Sequence, residues 1–247
     1  LVKRPHIICH MVTSIDGRLH PGHFTSAAAG VSAEVLAGHY EDVASRLAAD
    51  GWIVGRKTMS ELASGTERSI ATLPIAMREP HIADRNGRPL AVAIDPSGRI
   101  HYGHDNIGGD HAVAVLGHQV SDTYLAELRE DGVSYIFAGP SGDDLPGAMA
   151  QLAYFFGVQK LLLEGGGTIN GVFLRHRLIN EFSTLISPAL DGRAGAPSII
   201  DYRGAIDESP GAGQALRLMG CEILEGGTVW LRHSVEDAAG HNDMPVT

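Results

Sequence analysis

Apolar residues fall along this chain in short runs separated by stretches that repeat at helical spacing, the alternation expected of a sheet built from strand–helix units. Runs near residues 6–14, 51–54, 90–94, 112–116, 134–137, 160–163 and 182–186 are apolar at consecutive positions, so these strands are predicted to be covered on both faces of a largely parallel sheet. Helices are predicted over 32–49, 57–63, 121–130, 145–156 and 168–175. The first is the best defined, because Ser32 is a capping residue and Val35, Leu36, Tyr40, Val43 and Leu47 recur on one helical face. Towards the C-terminus the pattern changes. Residues 216–224 and 229–233 flank Glu225-Gly226-Gly227-Thr228 and are predicted to form an antiparallel hairpin that closes the sheet edge. Residues 65–87 read as a long loop over the sheet. Residues 236–247 are polar, contain Gly and Pro and lack periodicity, which predicts a single α/β domain over 1–235 followed by a disordered tail.

Composition narrows the function more than the fold. The 247 residues, 44% hydrophobic and 19% charged, are ordinary for a soluble globular protein. The net charge is −10 and the basic residues are scattered, so no electrostatic footprint for nucleic acid or an anionic membrane is present. Cys9 and Cys221 sit in separate apolar runs without metal-ligand spacing and read as buried thiols in a reducing cytosol. No apolar stretch is long enough for a membrane span and no signal-peptide core precedes the first strand, which predicts a cytoplasmic protein. Among 13 histidines none forms a metal-binding pair on one helical face; His20, His23, His101, His104 and His118 read as solvated, and no metal is expected.

The chemistry concentrates at two strand-to-helix turns. In Leu161-Leu162-Leu163-Glu164-Gly165-Gly166-Gly167-Thr168 an apolar strand ends in a carboxylate and a glycine triplet opens a helix. Backbone without Cβ atoms can approach a ligand closely, and the unpaired N–H groups of a helix start favour an anion. The run is not a Rossmann fingerprint, since Asn170 stands where the third glycine belongs. A tight structural turn is the plainer alternative. The second turn, Gly55-Arg56-Lys57-Thr58, follows the strand Trp52-Ile53-Val54 and stops short of a Walker pattern, which needs glycine where Arg56 stands. It reads either as a phosphate site presenting Arg56 and Thr58 or as a solvated helix start.

A resemblance then becomes specific. Gly55-Arg56-Lys57-Thr58 looks like the cofactor turn of dihydrofolate reductases, and the glycine triplet resembles their second cofactor turn. Ser14-Ile15-Asp16-Gly17-Arg18 is similar to the Ser-Leu-Asp-Gly-Arg/Lys signature of the riboflavin-biosynthesis pyrimidine reductases, which share that fold. Glu164-Gly165-Gly166 and Ser187-Pro188-Ala189-Leu190-Asp191-Gly192 resemble their later motifs, so the likeness runs over most of 5–233. It implies a dihydrofolate-reductase-like three-layer α/β fold, mostly parallel with an antiparallel C-terminal hairpin, and a reductase using NADPH on a small-molecule substrate.

The resemblance also assigns residues. Gly55, Arg56, Thr58, Gly165, Gly166, Gly167 and Thr168 would bind the cofactor, with Arg56 on the 2′-phosphate. Asp95, in the turn Asp95-Pro96-Ser97-Gly98, would stand on the cofactor side or simply form that turn. Ser14, Asp16 and Glu164 would meet substrate, and Asp16, Glu164 and His10 are the candidate catalytic residues. A parallel sheet is expected to bring Asp16 and Glu164 to one carboxyl edge, although an Asp-Gly dipeptide alone predicts a hairpin turn. Two departures concern the substrate: His10 stands where many bacterial members carry lysine, and Ser60–Gly65 replaces an Asp-Asp-Pro-Arg-Leu-Thr segment that contacts substrate. A reductase of another carbonyl, imine or pterin-like compound and an NADPH-binding sensor without turnover are the alternatives. A homodimer is implied by the family likeness, with the apolar segments 182–186 and 216–224 as the edges to be covered.

Overall fold

The computed structural model describes residues 3–70 and 78–238. In chain order the elements are β1 (His6–Thr13), α1 (Ala33–Leu47), β2 (Gly51–Gly55), α2 (Arg56–Leu62), β3 (Leu90–Ile94), β4 (Asn106–Ile107), β5 (Asp110–Leu116), α3 (Asp122–Glu130), β6 (Ser134–Phe137), α4 (Leu145–Phe156), β7 (Lys160–Leu163), α5 (Gly167–Arg175), β8 (Glu181–Ile186), β9 (Gln214–Ile223) and β10 (Val229–Asp237). They form two compact units, each discontinuous in sequence: Leu1–His6 with Leu47–Gly166, and Ile7–Arg46 with Gly167–Thr247. Residues 71–77 of the expected long loop and 239–247 of the expected tail lie outside the described residues. No described helix is long and apolar enough to cross a membrane.

The first unit is a parallel sheet in the order β6-β5-β3-β2-β7, with the short β4 antiparallel to the start of β5. Every residue of β3 is buried, the two-sided coverage that its unbroken apolar run demands. One layer of its core packs Met59 of α2 and Tyr124, Leu125 and Leu128 of α3 against Ala91, Ala93, Ala112 and Ala114. The small alanines let the helices approach the sheet closely. Local chemistry sets the helix ends: Ser121 accepts the Tyr124 N–H at 3.1 Å, Asp144 accepts the Gly147 N–H at 2.9 Å, and Gly157 ends α4 at φ 69°.

In the second unit β1 pairs in parallel with β8, β8 antiparallel with β10, and β10 antiparallel with the edge strand β9. The predicted hairpin is present, its turn carrying Gly226 and Gly227 at φ 74° and 93°. It is longer than expected. Glu236 and Asp237, expected to begin the tail, pair with Ala215 and Gln214. Cys221, expected to be buried, is exposed because β9 is an edge strand, while Cys9 in β1 is buried. Ser32 caps α1 through the Val35 N–H, and the helix stops where Ala48 turns left-handed at φ 49°. No glycine marks that stop, so periodicity alone ran two residues too far.

Candidate functional site

In the first unit the two expected cofactor turns leave neighbouring strands. β2 and β7 pair in parallel through Trp52↔Leu162 and Ile53↔Leu163. The ladder continues past the strands, with the Glu164 N–H donating to the Ile53 carbonyl at 2.9 Å and the Gly55 N–H donating to the Gly165 carbonyl at 2.8 Å. The two turns are therefore hydrogen-bonded to one another. Gly165 holds φ 95°, a conformation that favours glycine. Gly166 is exposed, and a Cβ built on it would meet nothing within 4 Å, so a ligand can reach this backbone. Arg56 is exposed at the start of α2, and Thr58, two residues on, is half-buried. No side chain caps α2 at Gly55. Among the described residues no hydrogen bond or ion pair holds the Arg56 guanidinium. Glu164 is half-buried where β7 ends.

Asp95 follows β3, the other neighbour of β2, but its side chain is sealed inside. One carboxylate oxygen accepts the N–H groups of Arg99 and Ile100 at 2.6 and 2.9 Å, and among the described residues the other has no partner. Burial pushes its pKa up, while those N–H groups and the charges of Arg56 and Arg99 pull it down. Asp95 thus shapes its own turn and is too enclosed to touch a cofactor directly.

In the second unit Gly167 and Gly171 turn out to serve packing. A Cβ on Gly167 would run into the Ser198 carbonyl, and one on Gly171 would lie 2.8 Å from the Tyr202 Cα. The Asp201 N–H donates to the Gly167 carbonyl at 3.0 Å and the Asn170 amide to the Ile199 carbonyl at 2.9 Å, so segment 198–202 is strapped along α5. Thr168 stays exposed in the first turn. Of the glycine triplet, only Gly166 keeps its Cα open.

Three of the residues assigned to substrate or to catalysis are engaged in holding structure. Ser14 is 1% exposed, and its hydroxyl accepts the Arg18 N–H at 3.0 Å within a tight turn that has Gly17 at φ 80°. Asp16 sits on that turn and is exposed. Its oxygens accept the N–H groups of Asp191 and Gly192 at 3.0 and 2.8 Å, so it clamps the loop after β8. The Ser14 hydroxyl and these two amides hold its carboxyl far below the ordinary range. An acid that strong is ionised at neutral pH and cannot deliver a proton there. His10 is fully buried, with Nε2 3.1 Å from the Tyr40 carbonyl, Nδ1 3.1 Å from Ser183 Oγ, and its ring stacked on Tyr40 at 4.4 Å. A carbonyl can only accept, so Nε2 carries the proton and Nδ1 accepts from the hydroxyl. Burial lowers its pKa and keeps it neutral. It is a core histidine rather than a proton donor.

The same unit holds a pocket of about 450 Å³. Val12 at the end of β1, Leu36 and Tyr40 on α1, Phe24, Pro188 and Ala189 form its apolar wall. Its rim is stitched: the Ile15 N–H donates to the Ala189 carbonyl, the Thr25 N–H to the Leu190 carbonyl, and the Leu190 N–H to Thr25 Oγ1. The Asp16 clamp belongs to this rim. The size and apolar lining are those of small-molecule sites.

The RibD C-terminal domain family model matches residues 5–230. The chain belongs to that family. A 2,5-diamino-6-ribosylamino-4(3H)-pyrimidinone 5′-phosphate reductase of Methanothermobacter thermautotrophicus is 28% identical over 209 residues, covering 83% of this chain and 87% of the relative. A protein of the same description from Aquifex aeolicus is 20% identical, over 82% and 85% of the two chains. The crystal structure of a pyrimidine reductase-like protein from Corynebacterium diphtheriae superposes with a TM-score of 0.66 at 20% identity, over 95% and 93% of the chains. The RibD-type chain therefore has the mixed, mostly parallel dihydrofolate-reductase-like fold, and by family it is a reductase linked to NADP(H).

Sequence reasoning placed the two strand-to-helix turns but missed the pocket. Leu36 and Tyr40 lie on the same helical stripe as Val43 and Leu47, and a periodic stripe does not say where the core ends and a cavity begins. A third grouping resembles a nucleophile triad: His111 Nε2 lies 2.8 Å from Ser134 Oγ and Nδ1 3.6 Å from Asp105. Ser134 and His111 are fully buried and Ser134 Oγ also accepts the Ala83 N–H, so this set anchors a loop.

Proposed function

We propose that the protein reduces a ribosylaminopyrimidine, or a small ring compound of similar shape, with NADPH as the hydride donor. The observation that carries this reading is the Gly55 N–H donating to the Gly165 carbonyl, which joins the two cofactor turns beside the open backbone of Gly166. Arg56 and Gly166 fit a phosphorylated dinucleotide: an uncommitted guanidinium suits the 2′-phosphate, and backbone without a Cβ suits close approach of the pyrophosphate. When bound, the cofactor supplies a hydride to carbon. The pocket of the second unit orients the substrate ring and excludes water from it, and Asp16 keeps the pocket rim in place. Asp16 is engaged by the loop after β8 and His10 is sealed in the core, which leaves Glu164, half-buried where β7 ends, as the candidate to supply the proton that nitrogen takes up when the C=N bond of the ring-opened ribosylamine is reduced. The test is reduction of a ribosylaminopyrimidine with NADPH deuterated at the transferring carbon. Deuterium is expected at one carbon of the product, with loss of nicotinamide absorbance. Tight NADPH binding with no transfer to any ring substrate would overturn the reading in favour of a sensor.

A further inference from the structure

We infer that residues 21–25 form a lid on the pocket of the second unit, latched to the loop after β8 by the buried carboxylate of Asp191 and released when His23 loses its proton. The lid is lightly held. It begins with a single 3-10 turn, Pro21–His23, whose residues are exposed. The backbone hydrogen bonds of that turn are internal, from the His23 N–H to the His20 carbonyl at 2.9 Å and from the Phe24 N–H to the Pro21 carbonyl at 3.1 Å. Pro21, Phe24 and Thr25 nonetheless line the cavity, and two hydrogen bonds between Thr25 and Leu190 join the segment to the loop. At this junction Asp191 is unsatisfied. Its side chain is fully buried, yet among the described residues neither carboxylate oxygen accepts a hydrogen bond. One oxygen lies 3.5 Å from His23 Nδ1 and the other 3.7 Å from Arg193 Nε, both beyond hydrogen-bond length. A buried carboxylate without a hydrogen-bond donor is costly, and the imidazole across the junction is the group whose charge can change to relieve it. Protonated, His23 brings a full charge and a certain N–H to Asp191; neutral, it offers at most one uncharged N–H.

Imidazole is the side chain that changes charge between about pH 5 and about pH 8, so closure is strengthened towards acid and lost towards alkali. The other charges around His23 keep their state over that interval, except one. Arg193 and Arg18 stay cationic, and Arg18 donates to the Ala196 carbonyl at 2.7 Å. Asp16, which accepts the Asp191 and Gly192 N–H groups, stays ionised and adds negative charge beside Asp191. Helix α1 meets the cavity through Ala33, Leu36, Ala37 and Tyr40, none of them charged. The exception is His20, whose ring packs edge-on against His23 at 5.2 Å and opposes protonation of both rings at once.

The latch does not depend on which compound occupies the pocket, so its test needs none. Amide hydrogen exchange of the full chain is followed at Thr25 and Leu190 from about pH 8 to about pH 5.5, each rate being divided by the intrinsic rate at that pH. Protection of both amides is expected to rise about fivefold towards acid, the upper end for an ion pair with one partner partly exposed. His23→Gln, at an exposed position, is expected to fold and to abolish the rise. Asp191→Asn, which keeps the size of the side chain and removes its charge, is expected to abolish it as well, whereas His20→Gln is expected to retain it. A flat response in the unmodified protein would overturn the inference. So would a rise that survives His23→Gln or Asp191→Asn, or one that His20→Gln removes, since the proton would then act elsewhere.

Discussion

The Asp16 carboxylate is spent on holding a loop, which makes its substitution informative about geometry rather than proton transfer. Its folded pKa is depressed, so its contribution to stability is complete above the ordinary aspartate value of about 4 and is lost as pH falls towards the folded value. It does not titrate between about pH 5 and about pH 9. Asp16→Asn, which cannot accept both amides, is expected to raise KM about five- to tenfold while leaving the pH profile of kcat unchanged; steady-state kinetics across pH would show a moved acid limb if Asp16 took part in the chemistry. Glu164→Gln is expected to lower kcat about a hundredfold with NADPH affinity within a few-fold, the scale of general acid–base assistance. Fluorescence titration of NADPH alongside single-turnover rates separates the two effects. Arg56→Ala is expected to weaken NADPH about tenfold or more and NADH little, because only NADPH carries the 2′-phosphate; equal weakening would place Arg56 elsewhere. Residue by residue, the exposure of Arg56 and Gly166 was readable from their turns. Asp95, Gly167 and His10 were not, because type and spacing do not reveal that a side chain is sealed in by its own loop, a strap from thirty residues on, or a helix carbonyl.

Two glycines show why an element cannot be judged from composition alone. Gly38 lies inside α1, and a Cβ there would meet nothing within 4 Å. Gly38→Ala is therefore expected to stabilise the protein by about 0.5–1 kcal/mol, the helix-propensity difference. Gly167 opens α5 under the 198–202 strap, so the same change there should lower the melting temperature despite the better helix former. Calorimetry of the two variants checks both signs, and stabilisation by Gly167→Ala would mean that the strap is loosely held. The strands were readable because their unbroken apolar runs require cover on both faces, as β3 shows. The two-residue β4 was not, being shorter than any periodicity can mark. Nor was the division of the α1 stripe, whose Val43 and Leu47 end is buried core while Leu36 and Tyr40 face a cavity.

For the molecule as a whole, the expected exposed edges resolve into one. β8 lies between β1 and β10 and is no edge, which corrects the assignment of 182–186 as a surface to be covered. β9 is an edge, ten residues long, with Leu216, Leu218, Met219 and Ile223 between 48% and 77% exposed. An apolar edge of that length invites pairing, and a second copy of the chain is the expected occupant. Light scattering should show a dimer at micromolar concentration, and Leu218→Lys with Ile223→Lys should yield a folded monomer; a wild-type monomer would remove the idea. The pairing of β1 with β8 bears on how the chain is made. His10 and Ser183, opposite one another in that ladder, are 173 residues apart. During synthesis β1 must wait for its β8 neighbour until the long stretch between them has followed, with Ile7, Ile8 and Cys9 sticky in the meantime. Polar replacements early in β1 should therefore show first as lost yield of newly made protein, before any defect in the finished enzyme is measured.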